Sequence, residues 1–362
     1  MNLLKTIQNK FLDSQKKFLL FVVIISAISR ILIAYFFGDK SLENEWAILV
    51  TNLYNFKSFS LLNFGNLYVP NLWMPPIYGY FVYIHALVFG LDENLATWVI
   101  ITQIIISSIT PIIFYKIISN FFSKGLSFVG VLIFSLFPLI VYSASQISSA
   151  SIYLFLLLTF IYLVINLTNK KSNKINILIG VIAGILILTR RDFILIYFFS
   201  LFYLFIFFNI NYKKIILILL MSLISISPYL TRNYIAFDKM IIHSGLGYNL
   251  WKAYNPNAKV EGYYEESKEL KLKINNVKKD IYYRINEDKV YLNEAKTYFY
   301  DNPEKYIKLF FKRLFSFFFI DLNSSQANYY NFFHILPNLS LSIFSLLGLI
   351  VCYKKNFKYN YL

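Results

Sequence analysis

The sequence predicts an all-α, polytopic helical membrane protein of about eight spans, nine if residues 77–91 also cross, carrying a small helical cap on its outer side. Three observations predict it. Hydrophobic residues make up 57% of the chain and charged ones only 15%. Apolar runs near the ~20 residues that a bilayer demands recur along its length. Lysines cluster beside those runs, where they set orientation and meet anionic lipid. The net charge of +16 is therefore read as membrane topology and not as a nucleic-acid surface. The single cysteine, Cys352 in the last apolar run, excludes an intrachain disulfide framework. Phe, Tyr, Ile, Lys and Asn are used heavily throughout, so aromatic abundance alone carries no functional weight.

Residues 1–17, with Lys5, Lys10, Lys16 and Lys17, form a cytoplasmic amphipathic lead-in to a first span at 18–37. That span is a retained anchor, because the run is long and lacks a small-residue cleavage site. The stretch 41–80 then lies outside and carries Glu43, Glu45 and the Pro75-Pro76 pair. The next apolar run, 77–91, has about 15 residues, short for a crossing, and lies in or dips into the interface. Spans at 96–118, 126–142, 151–167, 175–188, 193–210 and 215–229 follow, with a final one at 334–352.

This register puts Lys116 with Lys124, Lys170 and Lys171 with Lys174, Lys213 with Lys214, and Lys354 with Lys355 and Lys358 in the cytoplasm. A full crossing at 77–91 would move every one of these clusters outside, against the positive-inside rule. Both termini are thus expected inside. Three regions result: a transmembrane module at 1–229 that includes a first outer loop at 38–95, a mainly helical outer segment at 230–333, and a last span with a basic tail at 334–362. Within the outer segment Leu270, Ile274, Val277, Ile281 and Ile285 recur at helical spacing. Asp301-Asn302-Pro303-Glu304 has the makings of a helix start. The helix predicted at 305–320 mixes Lys308, Lys312 and Arg313 with Leu309, Phe310, Phe311, Leu314 and Phe315, and is expected to lie along the membrane surface.

Glu43 and Glu45 are either solvated loop acids or carboxylates whose partial burial at the membrane border suits a general base acting on a hydroxyl. Arg190, Arg191 and Asp192 form either a local ion pair that tolerates a turn or an anion site. A guanidinium grips phosphate bidentately, and low-dielectric surroundings strengthen the attraction. Arg232 stands just after a span and adds a further cation. Tyr248, Asn249, Trp251 and Asn255 suit an interfacial aromatic belt or, equally, a sugar, which stacks a face on a ring and offers hydroxyls to an amide. His85, His243 and His334 lack metal-ligand spacing, and no Walker loop, dinucleotide fingerprint or nucleophile elbow occurs. No cofactor is expected.

Four stretches, in order, carry a family resemblance: Glu43-Asn44-Glu45-Trp46; Met74-Pro75-Pro76-Ile77-Tyr78; Leu136 to Tyr142 with Leu188-Thr189-Arg190; and Ser227-Pro228-Tyr229-Leu230-Thr231-Arg232-Asn233-Tyr234 through Gly247-Tyr248-Asn249-Leu250-Trp251. Together with Asn302-Pro303 they resemble the bacterial integral-membrane glycosyltransferases of the dolichyl-phosphate-mannose mannosyltransferase and aminoarabinose-transferase type, with their C-type fold. The resemblance implies a polyprenyl-phosphate-linked sugar as donor and inverting transfer to a glycan, lipid or protein acceptor. It implies catalysis at the outer face of the bacterial cytoplasmic membrane, and makes 1–229 the catalytic module. The family's acidic loop position falls on Glu43, with Glu45 close behind, and its phosphate-binding arginine on Arg190. The chain departs from the pattern at Glu43, where Asp is commoner, at Arg191, where proline is usual, and at Ala150, where an acid often stands. The alternatives to an enzyme of this type are a transporter or carrier-binding protein for lipid-linked sugars, or an O-antigen polymerase or ligase.

Overall fold

The computed structural model describes residues 15–169, 172–319 and 331–354. The lead-in at 1–14 and the lysines at 170, 171, 355 and 358 lie outside the described residues. Helix α1 (Gln15–Phe37) is followed by α2 (Asn44–Phe56), strands β1 (Ser60–Phe64) and β2 (Leu67–Pro70), α3 (Pro76–Phe89) and α4 (Leu95–Ile118). Next come α5 (Lys124–Ser135), α6 (Pro138–Ser143), α7 (Ala150–Asn169), α8 (Asn173–Thr189), α9 (Phe193–Phe207) and α10 (Tyr212–Phe237). The chain ends with α11 (Leu246–Tyr254), α12 (Lys268–Asn275), α13 (Tyr283–Asp301), α14 (Pro303–Phe318) and α15 (Phe332–Lys354).

Among the described residues five helices are long and apolar enough to cross a membrane: α1, α4, α7, α10 and α15. The chain is an integral membrane protein on that ground. Helices α3, α5, α8 and α9 are apolar but shorter. At 1.5 Å per residue, α5 reaches only about 18 Å, against a hydrocarbon core of about 30 Å. The span expected at 126–142 is broken: α5 stops at Ser135, and α6 begins at Pro138 after an extended Phe137. Proline explains the break, since it donates no amide hydrogen and forces the residue before it out of the helical region.

Two further expectations change. An all-α chain is not what forms, because β1 and β2 pair antiparallel, with Asn63 opposite Tyr68 and Phe64 opposite Leu67. The turn between them is Gly65-Asn66, and Gly65 takes φ 63°, a left-handed conformation that glycine adopts without strain and that tight hairpins require. Helix α10 also runs through Pro228 and on to Phe237, so Arg232 and Asn233 are helical residues and not the first of a loop.

The chain forms two compact units. One takes in residues up to Phe59 together with Pro75–Arg232; the other joins Ser60–Met74 to the chain from Asn233 onward. In the first unit α4 packs against α1, α3, α5 and α7. One core cluster of this unit comprises Val50, Tyr78, Val82, Ala86, Leu95, Val99 and Ile152.

Arg30, fully buried on α1, ties three helices of this unit together. Its Nε donates to Ser107 Oγ of α4 at 2.7 Å, and one terminal nitrogen donates to Ser26 Oγ at 2.5 Å and to the Ser135 carbonyl at the end of α5 at 2.9 Å. Helices α8 and α10 meet through Gly180 and Gly184. A Cβ at Gly184 would lie 2.6 Å from Ser225 Cβ and 2.7 Å from the Ser222 carbonyl oxygen, and one at Gly180 would lie 2.5 Å from Met221 Cβ and strike the Ile218 carbonyl. Small residues one turn apart let two backbones touch in this way.

In the second unit α11 packs on α13, and Trp251, Leu270, Ile274, Tyr291 and Ala295 form the core. A Cβ at Gly247 would collide with the Asp288 carbonyl, so the two helix backbones lie in close contact there. The helical period read from Leu270 to Ile285 is interrupted. Leu270 and Ile274 are buried on α12, which ends at Asn275, and Ile285 belongs to α13.

Candidate functional site

Glu43 is the N-cap residue of α2 with an extended backbone, and Glu45 lies in the first turn. Ser41 Oγ donates to Glu43 Oε1 at 3.0 Å. Both carboxylates are exposed, so the partial burial expected for them is not found. The pattern of α2 gives the reason: Leu49, Val50 and Leu53 take the buried face and Trp46 packs edge-on against Tyr78, with ring centroids 4.7 Å apart, which leaves the acids on the open side.

Trp46 leads from the acids to Arg232. A Cβ at Gly79 would lie 2.7 Å from the Phe59 ring and 3.6 Å from the Trp46 ring, so only a glycine lets these two aromatics close over the first turn of α3. Phe59 stacks on Tyr80, with centroids 5.0 Å apart and planes 14° apart. Its carbonyl accepts from a terminal nitrogen of Arg232 at 3.0 Å. The Arg232 guanidinium also lies over the Tyr229 ring, 5.6 Å from its centroid. The start of α2 and the C-terminal part of α10 are thus joined through one short stack, Trp46, Gly79 and Phe59.

Arg190 follows the last residue of α8, and Arg191 and Asp192 follow it, all three exposed. Arg190 Nε meets Asp192 Oδ1 at 3.4 Å. Its guanidinium sits over the ring of Tyr153, 5.2 Å from the centroid and one turn into α7. The glycine contacts set the register of α8 on α10: Gly180 meets Ile218 and Met221, and Gly184 meets Ser222 and Ser225. Both pairs advance in the same direction, so the two helices run parallel. Extending that offset by two turns puts Arg190 and Arg191 level with Pro228 to Arg232. The three arginines singled out in the sequence therefore share one end of a fixed helix pair.

The connection 143–150 closes onto the start of the first loop. Asp39 Oδ2 accepts from the Ile147 amide at 2.7 Å, and the Asp39 amide donates to the Ser145 carbonyl at 3.1 Å. Gln146 Nε2 donates to the Phe37 carbonyl at 2.9 Å. Behind it, Gln103 Nε2 donates to the Gln146 carbonyl at 2.8 Å while Gln103 Oε1 accepts from Tyr78 at 2.7 Å. Sequence reasoning missed Asp39 and Gln103. Their signals were present: an acid two residues beyond a span, and a lone amide inside an apolar run.

The set at Tyr248–Asn255 belongs to the second unit. Trp251 is only 2% exposed, enclosed by Leu270, Ile274 and Tyr291. Asn255 is also buried, its amide donating to the carbonyls of Trp251 and Tyr263 at 3.2 and 3.1 Å. Asn249 Nδ2 donates to the Gly245 carbonyl at 2.8 Å. Tyr248, the most accessible ring of the set, lies edge-on to Trp73 at 5.0 Å and to Tyr291 at 5.1 Å.

Trp73 is a residue the sequence did not single out. Asn71 aims it: its Oδ1 accepts from the amides of Trp73 and Met74 at 2.9 and 3.1 Å. Arg284 covers the same indole, 5.4 Å from its centroid, and pairs with Glu287 at 2.7 Å. Burial, then the hydrogen bond to Glu266, pushes the Tyr291 phenol above its usual range. Burial with the charges of Glu266 and Glu287 does the same to Tyr248. No group of three or more His, Cys, Asp or Glu side chains suited to a metal occurs among the described residues.

The class these features define is a polytopic helical membrane protein with Arg190, Arg191 and Arg232 at one end of a packed helix pair. Residues 74–231 match the family model of the dolichyl-phosphate-mannose-protein mannosyltransferases. The match takes in Pro75-Pro76, the 143–150 connection, Arg190 and Arg191, and stops one residue short of Arg232; Glu43, Glu45 and the Tyr248–Asn255 set lie outside it. No curated protein and no solved structure matches the chain.

Proposed function

We propose that the chain is a membrane glycosyltransferase that moves a sugar from a polyprenyl-phosphate carrier to an acceptor hydroxyl. The family match, which names a mannosyltransferase, supports the class. One observation carries the assignment of residues: the Trp46–Gly79–Phe59 stack joins the acid-bearing start of α2 to Arg232, on the same helix end as Arg190 and Arg191. In this reading Glu43, or Glu45 beside it, takes the proton of the acceptor hydroxyl as its oxygen attacks the anomeric carbon. The bond from that carbon to the phosphate oxygen breaks, the electron pair leaves with the lipid phosphate, and the configuration inverts. Arg190, Arg191 and Arg232 hold the charge that develops on the departing phosphate.

Asp192 pairs with Arg190, which also lies over the Tyr153 ring. Sugar or acceptor binding is assigned to Tyr248 and Asn249, with Trp251 and Asn255 as the buried supports that fix them. The site faces the outer side of a bacterial cytoplasmic membrane, in keeping with the lysine register. The acceptor is a glycan, a lipid or a protein.

The test is transfer in proteoliposomes holding the full chain, a polyprenyl-phosphate sugar and an extract of envelope acceptors. Sugar should move from the carrier to an acceptor and leave polyprenyl phosphate. Passage of the intact lipid-linked sugar across the bilayer with no acceptor modified would replace this reading with a transporter. Consumption of a pyrophosphate-linked oligosaccharide instead would replace it with a polymerase or ligase.

A further inference from the structure

Helix α14, in the second unit, has a basic face and an aromatic one. Along one face it lines a cavity of about 970 Å³ with Lys305, Lys308 and Lys312, and Lys259 stands on the facing wall. That wall is held in place. Ala258 packs on Tyr306 and Leu309, and Arg313 donates to the carbonyls of Ala253, Lys259 and Val260 at 2.9, 2.8 and 3.1 Å. Lys305 reaches the Pro256 carbonyl at 2.6 Å, and Lys308 pairs with Glu304 at 2.5 Å. Asp301 is the other acid lining the cavity, so its wall keeps an excess of positive charge. The aromatic face is uncovered: Phe310, Phe311, Phe315, Phe317 and Phe318 are all exposed.

An independent contact fixes the depth of the C-terminal end of α14. Ser342 Oγ donates to the Phe318 carbonyl. Ser342 lies near the middle of the stretch Phe332–Val351, which is long and apolar enough to span. At 1.5 Å per residue it stands about 15 Å below the start of that helix, close to the midplane of a hydrocarbon core of about 30 Å. Counting back up α14 by the same rise, Lys312 is about 9 Å, Lys308 about 15 Å and Lys305 about 20 Å above Phe318. On that count Lys305 and Lys308 reach the level of the lipid phosphates, while Lys312 and the phenylalanines lie below them toward the acyl chains. Lys312 is within reach of the phosphates by extending its ammonium upward.

We propose that this basic cavity is a binding site for the phosphate headgroup of an anionic glycerophospholipid, drawn from the leaflet into which α14 descends. Lysine ammonium groups are mobile point charges, suited to a phosphodiester carried by a fluid leaflet, whereas a bidentate arginine fork fixes one orientation. The side-chain ammonium groups of Lys259 and Lys312 form no ion pair or hydrogen bond among the described residues, which leaves both for the ligand.

The experiment uses the full chain purified in mild detergent with equal amounts of phosphatidylglycerol and phosphatidylcholine, and reads retained lipid by native mass spectrometry. The wild-type chain should keep phosphatidylglycerol over phosphatidylcholine. The triple variant Lys259→Gln, Lys308→Gln, Lys312→Gln should lose at least tenfold of that preference. A control triple variant, Lys278→Gln, Lys289→Gln, Lys296→Gln, should keep it. Equal retention by the cavity variant, equal loss in the control, or displacement of phosphatidylglycerol by equimolar polyprenyl phosphate would each overturn the proposal. Depth is read separately in a Cys352→Ser background. A spin label at Phe315→Cys should relax with lipid-dissolved oxygen, and one at Lys308→Cys with an aqueous nickel chelate; an aqueous environment at 315 removes the basis of the site.

Discussion

The start of α2 and α11 with its C-cap hold the same kinds of side chain, carboxylate or amide beside an inward-packed tryptophan, yet they treat the polar member in opposite ways. At the first, Trp46 packs inward and Glu43 and Glu45 are left in solvent. At the second, Trp251 and Asn255 are both interior, and the Asn255 amide is spent on the backbone carbonyls of Trp251 and Tyr263. A polar group whose hydrogen bonds are all local has little left for a ligand, whereas one held at the surface by a packed neighbour is free to react. Arg30 and Arg190 differ in the same way: the first is consumed in joining α1, α4 and α5, the second stands exposed beside Asp192. The contrast predicts that variants at Trp251 and Asn255 act through folding and variants at the start of α2 through turnover.

The largest effect is expected at Trp251→Ala. Removing a fully enclosed indole should cost about 3–5 kcal/mol of the stability of the second unit, read as a fall in the melting temperature and faster proteolysis within 246–301. Retained stability with lost turnover would make Trp251 a ligand contact and erase the contrast. Next come Glu43→Gln and Glu45→Gln, assayed for transfer. One of the two should lower turnover by about a hundredfold or more while melting stays unchanged, because neither carboxylate is buried. Unchanged rates in both variants would remove the first loop from the chemistry. Arg190→Gln should lower turnover about tenfold, a smaller loss because Arg191 and Arg232 share the phosphate charge. Arg232→Gln should in addition loosen Phe59, so lower stability at 232 and not at 190 would separate the binder from the brace.

Much of this arrangement was legible in the sequence. Apolar runs placed α1, α4, α7, α10 and α15, since burial in lipid leaves a long, unmistakable signature. The positions of Arg190, Arg191 and Arg232 at one end followed from counting lysines. Other features depend on partners far away in sequence. Arg30 reads as an intruder in a span until Ser107 and Ser135 are brought to it, and Trp73 has no visible role until Tyr248 and Arg284 meet it. The break before Pro138 was misread because the apolar run continues across it, and hydropathy does not register a missing amide hydrogen. Whether Trp251 faced a sugar or a core was undecidable from periodicity, as both need an aromatic on one helix face.

The smallest effect concerns alkali, and it probes the buried side of the contrast alone. The phenols of Tyr291 and Tyr248 are held above their usual range, by burial first and by Glu266 and Glu287 next. In the unfolded chain they ionise near pH 10. Above that pH the unfolded state binds fewer protons than the folded one, so stability is constant below about pH 10 and falls as pH rises beyond it. The slope is at most about 1.4 kcal/mol per pH unit for each phenol. Melting of the full chain between pH 9 and 11 should show this limb, and Tyr291→Phe should make it shallower even though it also removes the hydrogen bond to Glu266 and lowers stability at neutral pH. A limb of unchanged slope in Tyr291→Phe would mean that this phenol is not sealed in the core, and that α11 presents its aromatic face to solvent as α2 presents its acids.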